Sequence, residues 1–140
     1  MQKQIRKISQ NDLSKVIEIL QQISIFKPDI AQIKKAWMSY IKQTNVYAIV
    51  VTYNEEIIGF GSVVYEQNIR SGIRGHIEDI VVTKEYQKQG VGKEIVDNII
   101  SYSKEQGCYK LSLQCNHKNI EFYKKLGFDV SGFSMSNLLL

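Results

Sequence analysis

The sequence predicts an α/β fold in which a single mixed, mostly antiparallel sheet carries helices on both faces. Two amphipathic helical patterns occupy the first third of the chain, and three strand-like segments joined by short turns follow them. A long amphipathic helix then separates the third of these strands from a further short apolar run. Because a strand, helix, strand order makes a right-handed crossover, one parallel pair is expected inside an otherwise antiparallel sheet.

The helical segments carry their own start signals. Ser9 followed by Asp12 resembles a capping box and predicts a first helix over about residues 10–24. Asp29, next to the single proline, can cap a second helix that ends near Asn45. Within this helix we expect Trp37 to be a core residue rather than a platform for a ligand.

The remaining elements follow from β-branched and apolar runs that are separated by polar or glycine-containing turns. In chain order we expect strands over residues 47–53, 57–65 and 75–82, a helix over 90–106, a strand over 111–115, a helix over 119–126, and one or two strands over 130–140.

Length and composition indicate one ordinary globular domain. The chain has 140 residues, a net charge of +4 and no low-complexity segment, so we expect a single domain over residues 1–140. The apolar runs are too short for a membrane helix and no export signal is visible, which favours the cytosol. The basic excess is mild and has no consecutive run, so nucleic acid is not expected as a partner. Two cysteines do not make a metal cluster, and we expect Cys108 and Cys115 to be reduced thiols.

The sharpest local motif is the glycine turn, the segment Gln87-Lys88-Gln89-Gly90-Val91-Gly92 between a strand and an amphipathic helix. Glycines allow close approach of a ligand, and the first turn of a helix presents unpaired amides, which together suit a phosphate. Lys84 and Lys93 add positive charge nearby. A tight turn that needs glycine only for its dihedral angles fits the spacing equally well. The segment is neither a Walker loop nor a full dinucleotide fingerprint, which disfavours nucleotide hydrolysis and NAD.

Three motifs together resemble the GNAT superfamily of N-acetyltransferases. They are Ile80-Val81-Val82, the glycine turn, and Asn119 followed by Phe122-Tyr123-Lys124-Lys125-Leu126-Gly127-Phe128. Within that superfamily, the runs Gly75-His76-Ile77-Glu78-Asp79 and Gly107-Cys108-Tyr109-Lys110 are similar to the eukaryotic-type glucosamine 6-phosphate N-acetyltransferases. The resemblance implies the acetyltransferase fold with strands splayed at the cofactor site, and it calls for no metal.

The resemblance also implies a mechanism in which an amine attacks the thioester of acetyl-CoA directly. Backbone amides around Ile80, Val81 and Val82 would hold the pantetheine arm and polarise the acetyl carbonyl. Tyr123 is the expected proton donor to the departing thiolate; the alternative is that it is a core tyrosine with only a structural role. The expected cofactor-binding residues are Ile80, Val81, Val82, Gln87, Lys88, Gln89, Gly90, Val91, Gly92, Lys93, Asn119 and Tyr123.

Glu78 and Asp79 are neighbours on a predicted strand, so their side chains should point to opposite faces unless a bulge redirects one of them. By resemblance both border the sugar site as catalytic and substrate-binding residues. Either carboxylate could take the ammonium proton, and backbone carbonyls could do so too, so the base stays open.

Two departures from the resembling family bear on the acceptor. The C-terminal arginine that grips the sugar phosphate is missing, since the chain ends Met135-Ser136-Asn137-Leu138-Leu139-Leu140. Candidate phosphate ligands are Ser24, Arg70, Ser71 and Arg74, which could equally be solvated loop residues. Gln114 replaces the usual acidic residue before Cys115, so it can orient the amine but not deprotonate it.

Two further side chains have open roles. A covalent route through Cys115 would need a base such as His117, and we favour a core cysteine instead. His76 lies two residues before Glu78 and either borders the sugar or caps the sheet.

The expected activity is acetyl transfer from acetyl-CoA to the 2-amino group of glucosamine 6-phosphate, which feeds amino-sugar nucleotide synthesis. The resemblance also implies a homodimer whose C-terminal strands meet. The alternatives are acetylation of another amine, such as a polyamine, a protein terminus or an aminoglycoside, and a non-catalytic module that binds acetyl-CoA.

Overall fold

The computed structural model describes residues 2–140. In that part of the chain the strands are β1 (Lys3–Lys7), β2 (Val46–Tyr53), β3 (Glu56–Gln67), β4 (Ile73–Val82) and β5 (Cys108–Ser112). The helices are α1 (Leu13–Leu20), α2 (Ile30–Ile41), α3 (Val91–Glu105) and α4 (Ile120–Lys124). Single 3₁₀ turns precede α1, α3 and α4 at Gln10–Asp12, Lys84–Tyr86 and His117–Asn119.

The strands form one sheet in the order β1-β2-β3-β4-β5. The first three pairs are antiparallel and β4 runs parallel to β5, with α3 as the crossover between them. The prediction of a mixed, mostly antiparallel sheet is therefore confirmed. The edge strand β1 was not predicted, because Ile5 is the one apolar residue in a Lys-Gln-Ile-Arg-Lys run that pairs with β2 mainly through its backbone.

Apolar side chains cover both faces of the sheet. One face packs on α3 through the fully buried Ile95 and Ile99, and the opposite face packs on α1 through Val16 and Ile19. Trp37 of α2 is 7% exposed, so its prediction as a core residue is confirmed. Helices on both faces follow from these two apolar surfaces, since each must be removed from water.

The capping signals read from the sequence hold the starts of the first two helices. The Asp12 carboxylate accepts a hydrogen bond from the Ser9 amide at 2.7 Å. Asp29 accepts from the Gln32 amide at 2.8 Å, and Gln32 in turn accepts from the Asp29 amide. Both capping predictions are therefore confirmed, although α1 ends at Leu20 rather than at residue 24.

A β-bulge interrupts the pairing of β3 with β4. Phe60 pairs with Val81 and Ser62 pairs with Glu78, so Gly61 lies opposite two residues, Asp79 and Ile80. Asp79 has a φ of 55°, a left-handed conformation that a residue with a Cβ rarely adopts. The bulge reverses the side-chain alternation of β4 at this point.

The parallel pair of β4 and β5 ends early. Its last partners are His76 and Ser112, while β4 continues to Val82. Residues 78–82 therefore present one backbone edge that no strand of residues 2–140 covers. This opening between β4 and the chain after β5 is called the cleft below.

Two strand predictions near the C-terminus were wrong. The strand expected over residues 111–115 is β5 at Cys108–Ser112, because the chain leaves β4 once the cleft opens. The strands expected over residues 130–140 are absent from the described chain, where that segment has no ladder partner. No helix within residues 2–140 has the length and apolar character that crossing a membrane requires.

Candidate functional site

The glycine turn lies directly before α3, beside the end of β4. Gly90 is the N-terminal cap of α3 and has a φ of 88°, so glycine is required there for its backbone conformation. Gly92 allows a close approach: a Cβ there would lie 3.3 Å from the ring of Phe122 on α4, so the ring would have to shift by a few tenths of an ångström. The two glycines thus let α3 start next to β4 and let α4 pack against that start.

The first turn of α3 supplies a ready position for an anion. The amides at the start of a helix have no intrahelical partners, and the helix dipole is positive at that end. Lys84 and Lys88 are exposed beside the turn, whereas Lys93 pairs with Asp97 at 2.7 Å. Gln87 and Gln89 are engaged internally: their side chains donate to the carbonyls of Val82 and Glu85.

Tyr123 of α4 is packed between two phenylalanines. Its ring makes edge contacts with Phe122 at 4.9 Å and Phe128 at 5.9 Å between centroids. Burial, with a smaller effect from the Cys115 thiol, raises the pKa of its phenol above the usual 10.0. The phenol is therefore protonated at neutral pH, in the state a proton donor needs.

A pocket of about 730 Å³ opens on the sheet face that packs on α1 and α2. Most of its wall is apolar and comes from α1, α2 and the segment between them. Its ionisable and polar wall residues are Lys27, Gln32, Tyr40, Ser62, Glu78 and Asp79.

Glu78 and Asp79 both line this pocket, so the exception allowed by the prediction holds, in which a bulge redirects one of the two side chains. The bulge turns Asp79 to the face where Glu78 already lies. Burial raises the pKa of the Asp79 carboxyl above its ordinary 3.8, although the side chain stays accessible at the pocket wall. The raised pKa makes the Asp79 carboxylate a better proton acceptor than an ordinary aspartate.

The phosphate candidates from the sequence do not converge. Arg74 lies in an ion pair with Glu66 at 2.5 Å, and Ser71 is in the β3–β4 connection with a φ of 82°. Ser24 and Arg70 are exposed in two separate connections. None of the four is among the residues that line the 730 Å³ pocket.

Sequence reasoning missed Lys27, the cation that lines the same pocket as Glu78 and Asp79. Its position directly before Pro28 and the Asp29 cap fixes its backbone at the start of α2, which was a usable signal. It also missed Tyr40 and Ser62, whose approach to the carboxylates depends on how α2 packs on the sheet.

Further polar side chains continue along the same sheet face. Nδ1 of His76 forms a hydrogen bond of 2.8 Å with the Ser112 hydroxyl, and Nε2 of the same ring lies 3.2 Å from the Glu66 carboxylate. This connects β3, β4 and β5 at the point where the cleft begins. His76 therefore holds the end of the parallel pair.

The other predicted residues lie around the cleft and α4. Asn119 is the residue before α4 and its side chain makes no capping hydrogen bond, while Gln114 donates to the Ser134 hydroxyl. Cys115 is exposed, so the expectation of a core cysteine was wrong; it lies after β5, outside the packed sheet. Both cysteines are free thiols, as expected. His117 and Cys115 line a second pocket with Tyr123.

Comparison with known proteins gives consistent results in sequence and in structure. The model of the acetyltransferase (GNAT) family matches residues 13–128. The chain is 35% identical over 124 residues to glucosamine 6-phosphate N-acetyltransferase 1 of Dictyostelium discoideum, covering 85% of this chain and 79% of the relative. It is 29% identical over 130 residues to glucosamine 6-phosphate N-acetyltransferase of Trypanosoma brucei brucei, covering 89% and 88%.

The fold is likewise similar to that of solved structures. The crystal structure of glucosamine-6-phosphate N-acetyltransferase from Arabidopsis thaliana superposes with a TM-score of 0.90, at 27% identity and over 99% of both chains.

Proposed function

The chain belongs to the acetyltransferase (GNAT) family, and from that premise we propose that it transfers the acetyl group of acetyl-CoA to the 2-amino group of glucosamine 6-phosphate. The names of the relatives support this acceptor. The observation that carries the proposal is the position of Asp79. It belongs to the half of β4 that borders the cleft, and its side chain lines the 730 Å³ pocket beside Glu78. A donor in the cleft and an amine in the pocket would meet there.

The cofactor side of the site is the cleft together with the glycine turn. The free amides at the start of α3 and the exposed Lys84 and Lys88 suit the pyrophosphate of acetyl-CoA. The uncovered backbone of Ile80, Val81 and Val82 suits the amide groups of its pantetheine arm, as a strand edge accepts a further strand. The residues proposed to bind the cofactor are Ile80, Val81, Val82, Gln87, Lys88, Gln89, Gly90, Val91, Gly92, Lys93, Asn119 and Tyr123.

Transfer needs three things from this chain. The acceptor arrives as an ammonium, and we assign the removal of its proton to Asp79, with Glu78 holding the sugar hydroxyls. Backbone amides of β4 stabilise the negative charge that develops on the thioester oxygen when the amine attacks. As the C–S bond breaks, Tyr123 donates its proton to the departing thiolate, and the second proton that the nitrogen loses on becoming an amide returns Tyr123 to the phenol.

The charges around the pocket match a substrate with an ammonium at one end and a phosphate at the other. Glu78 and Asp79 supply the negative side, and Lys27 supplies a positive side. We assign the phosphate to Lys27, since the Arg74 charge is already balanced by Glu66. Ser24, Arg70, Ser71 and Gln114 remain proposed contributors to the acceptor site.

We further propose a homodimer held through the C-terminal segment. Phe133, Met135 and the three terminal leucines are each more than four-fifths exposed in the single chain. Leaving a cluster of large apolar side chains in water is unfavourable, and pairing with the same segment of a second copy would bury them. Analytical ultracentrifugation should then show a dimer that a chain truncated after residue 132 no longer forms.

The free thiols at Cys108 and Cys115 fit a reducing compartment, which supports the cytosol as the place of the reaction. The product, an N-acetylated sugar phosphate, would enter amino-sugar nucleotide synthesis there.

Measuring the release of CoA with four acceptors tests the proposed function. Glucosamine 6-phosphate should give the highest kcat/KM, ahead of unphosphorylated glucosamine, spermidine and a peptide. A preference for any other amine would replace the acceptor, and turnover with none of them would favour a module that only binds acetyl-CoA. Calorimetric titration with acetyl-CoA tests the donor side separately, because it needs no acceptor.

A further inference from the structure

The 730 Å³ pocket has two chemically different sides. Glu78 and Asp79 of β4 place two carboxylates on the sheet side, whereas the wall from α1, α2 and the segment between them is mostly apolar. The volume lies within the range of about 300 to 1,000 Å³ that small-molecule sites have, and such sites combine apolar walls with a few polar groups. The pocket therefore has the composition of a site for an amphipathic small molecule.

One face of α2 supplies much of the apolar wall. Ile33, Ala36, Trp37 and Tyr40 line the pocket at the spacing of a single helix face. Ile33 is half-buried there, whereas Met38 of the same helix is 57% exposed and lies outside the wall. This side of α2 offers hydrocarbon and aromatic surface to a ligand.

Two of the polar wall residues already make hydrogen bonds within the fold. The Ser62 hydroxyl donates to the Glu78 carbonyl at 3.2 Å, and Oε1 of Gln32 accepts from the Asp29 amide at 2.9 Å. A ligand hydroxyl placed against the apolar wall would find no partner, and an unpaired buried polar group is unfavourable. The helix side of the pocket therefore suits hydrocarbon better than it suits a sugar.

We propose that the enzyme also acetylates primary amines with an apolar body, which bind with the ammonium at Glu78 and Asp79 and the hydrocarbon against α1 and α2. An alkylamine is an ammonium at neutral pH, as a lysine side chain is, so the two carboxylates attract it. This second activity rests on the proposed function for its donor and its base, which are acetyl-CoA in the cleft and Asp79. It differs in the acceptor, because it needs neither a phosphate nor sugar hydroxyls.

The same groups carry out the transfer to an alkylamine. Asp79 takes one proton from the ammonium, the nitrogen attacks the thioester carbonyl, and a C–N bond replaces the C–S bond. Tyr123 gives its proton to the departing sulfur and regains one from the nitrogen. The products are an N-alkylacetamide, the thiol of CoA and one proton released from Asp79 to water.

Measuring CoA release with the straight-chain amines from propylamine to hexylamine tests this activity, after subtraction of the rate without enzyme. Each further methylene buried against the apolar wall should raise kcat/KM about threefold, so hexylamine should exceed propylamine by more than about tenfold. The matched control compound is 5-amino-1-pentanol, which has a hydroxyl where hexylamine has its methyl group. Its kcat/KM should be at least about tenfold below that of hexylamine, because the hydroxyl would be buried without a partner.

Three variants test whether the hydrocarbon lies against α2 and the segment before it. Ile33→Gln makes the wall polar and should lower kcat/KM for hexylamine about tenfold, whereas Met38→Gln changes α2 outside the pocket and should leave it unchanged. Lys27→Leu removes a positive charge from the wall and adds apolar surface. It should raise kcat/KM for hexylamine about threefold and lower that for glucosamine 6-phosphate about tenfold, and opposite changes in one variant exclude a general loss of structure.

The results separate this activity from the proposed function. A kcat/KM that stays flat or falls from propylamine to hexylamine, or turnover of glucosamine 6-phosphate alone, would overturn the second activity and leave the proposed function standing. Turnover of alkylamines without turnover of the phosphosugar would overturn the proposed acceptor and support the second activity. An enzyme inert with both acceptors would overturn both.

Discussion

The guanidinium of Arg74 lies 2.5 Å from the carboxylate of Glu66, its neighbour across the β3–β4 pair. The Nε atom of the same side chain donates to that carboxylate at 2.6 Å. Both contacts are made to one oxygen of Glu66, so the Arg74 charge already has a carboxylate partner outside the pocket. Lys27, in contrast, lines the pocket. We therefore expect Lys27, and not Arg74, to bind the phosphate of the acceptor.

Lys27→Ala should raise the KM for glucosamine 6-phosphate about tenfold, since a charged hydrogen bond to a phosphate is lost. The KM for unphosphorylated glucosamine should not change, because that amine has no phosphate to lose. Arg74→Ala should change the phosphosugar KM by less than about threefold. Steady-state kinetics with both sugars measure all three values.

The matched control is Lys34→Ala, which removes an exposed lysine from α2 outside the pocket wall. It should leave both KM values unchanged. A raised phosphosugar KM in Arg74→Ala or Arg70→Ala, together with no effect in Lys27→Ala, would assign the phosphate to that arginine instead of Lys27.

Tyr123→Phe should lower kcat by about a hundredfold or more while acetyl-CoA binds with unchanged affinity, because general acid catalysis contributes on that scale. Since the pKa of the phenol is raised above 10.0, the acid form persists through neutral pH and activity should fall only at a pH above that value. Calorimetry and pH-dependent turnover check the two parts. The control is Tyr47→Phe, which removes a hydroxyl that bonds Asn98 at 2.7 Å, and it should leave kcat unchanged. Equal turnover in Tyr123→Phe and wild type would mean that another group protonates the thiolate.

Asp79→Asn should lower kcat/KM for the acceptor far more than Glu78→Gln does, because Asp79 is assigned as the base. A base acts in its deprotonated form, and its raised pKa places the acid limb of kcat/KM above the ordinary value of 3.8. That limb should disappear in Asp79→Asn. A limb that persists in Asp79→Asn and is lost in Glu78→Gln would exchange the two roles.

Much of the fold follows from hydrophobic periodicity. The apolar stripe that includes Ile95 and Ile99 predicted α3, and β-branched runs predicted β2, β3 and β4, because burial of a long regular pattern decides its structure. The β1 strand was not predicted, since a single apolar residue among four polar ones shows no hydrophobic periodicity. The C-terminal segment has strand-like composition but no partner edge in the single chain, and composition cannot supply one.

The candidate site was predicted where local chemistry defines it. The glycine turn depends on its own residues and on the helix that follows, so sequence was sufficient to propose an anion site. The shared face of Glu78 and Asp79 depends on one unpaired residue opposite Gly61, and a strict two-residue alternation gives the opposite answer. Tyr40 belongs to the site only because α2 packs over β3, which is a tertiary relationship.

Gly90→Ala should reduce the affinity for acetyl-CoA about tenfold and destabilise the fold by about 1 to 2 kcal/mol, since its φ of 88° is strained for alanine. Gly107→Ala is a matched control. Gly107 has a φ of 77° at the other end of α3, and a Cβ at either glycine meets nothing within 4 Å. Chemical denaturation should show similar losses of stability in both variants, with weaker binding in Gly90→Ala alone. Equal affinities would mean that the turn needs glycine only for its dihedral angles.

Asp12 provides a test of stability that is independent of the site. Its buried carboxylate accepts two hydrogen bonds from Arg6, at 2.7 and 2.9 Å, and these hold its pKa below the ordinary 3.8. A depressed pKa stabilises the fold at any pH above the unfolded value, and the contribution is lost as the pH falls through the folded value.

Asp12→Asn should therefore lower the free energy of unfolding by about 1 to 3 kcal/mol at pH 7, the scale of hydrogen bonds to a charged group. The difference from wild type should shrink as the pH falls below about 4, because Asp12 of the unfolded chain is protonated first and Asp12 of the folded protein follows at its lower pKa. Asp97→Asn, which breaks a surface pair with Lys93, should cost less than about 1 kcal/mol at pH 7. Urea denaturation at both pH values measures the three proteins, and a pH-independent loss in Asp12→Asn would assign its effect to helix capping rather than to the ion pair.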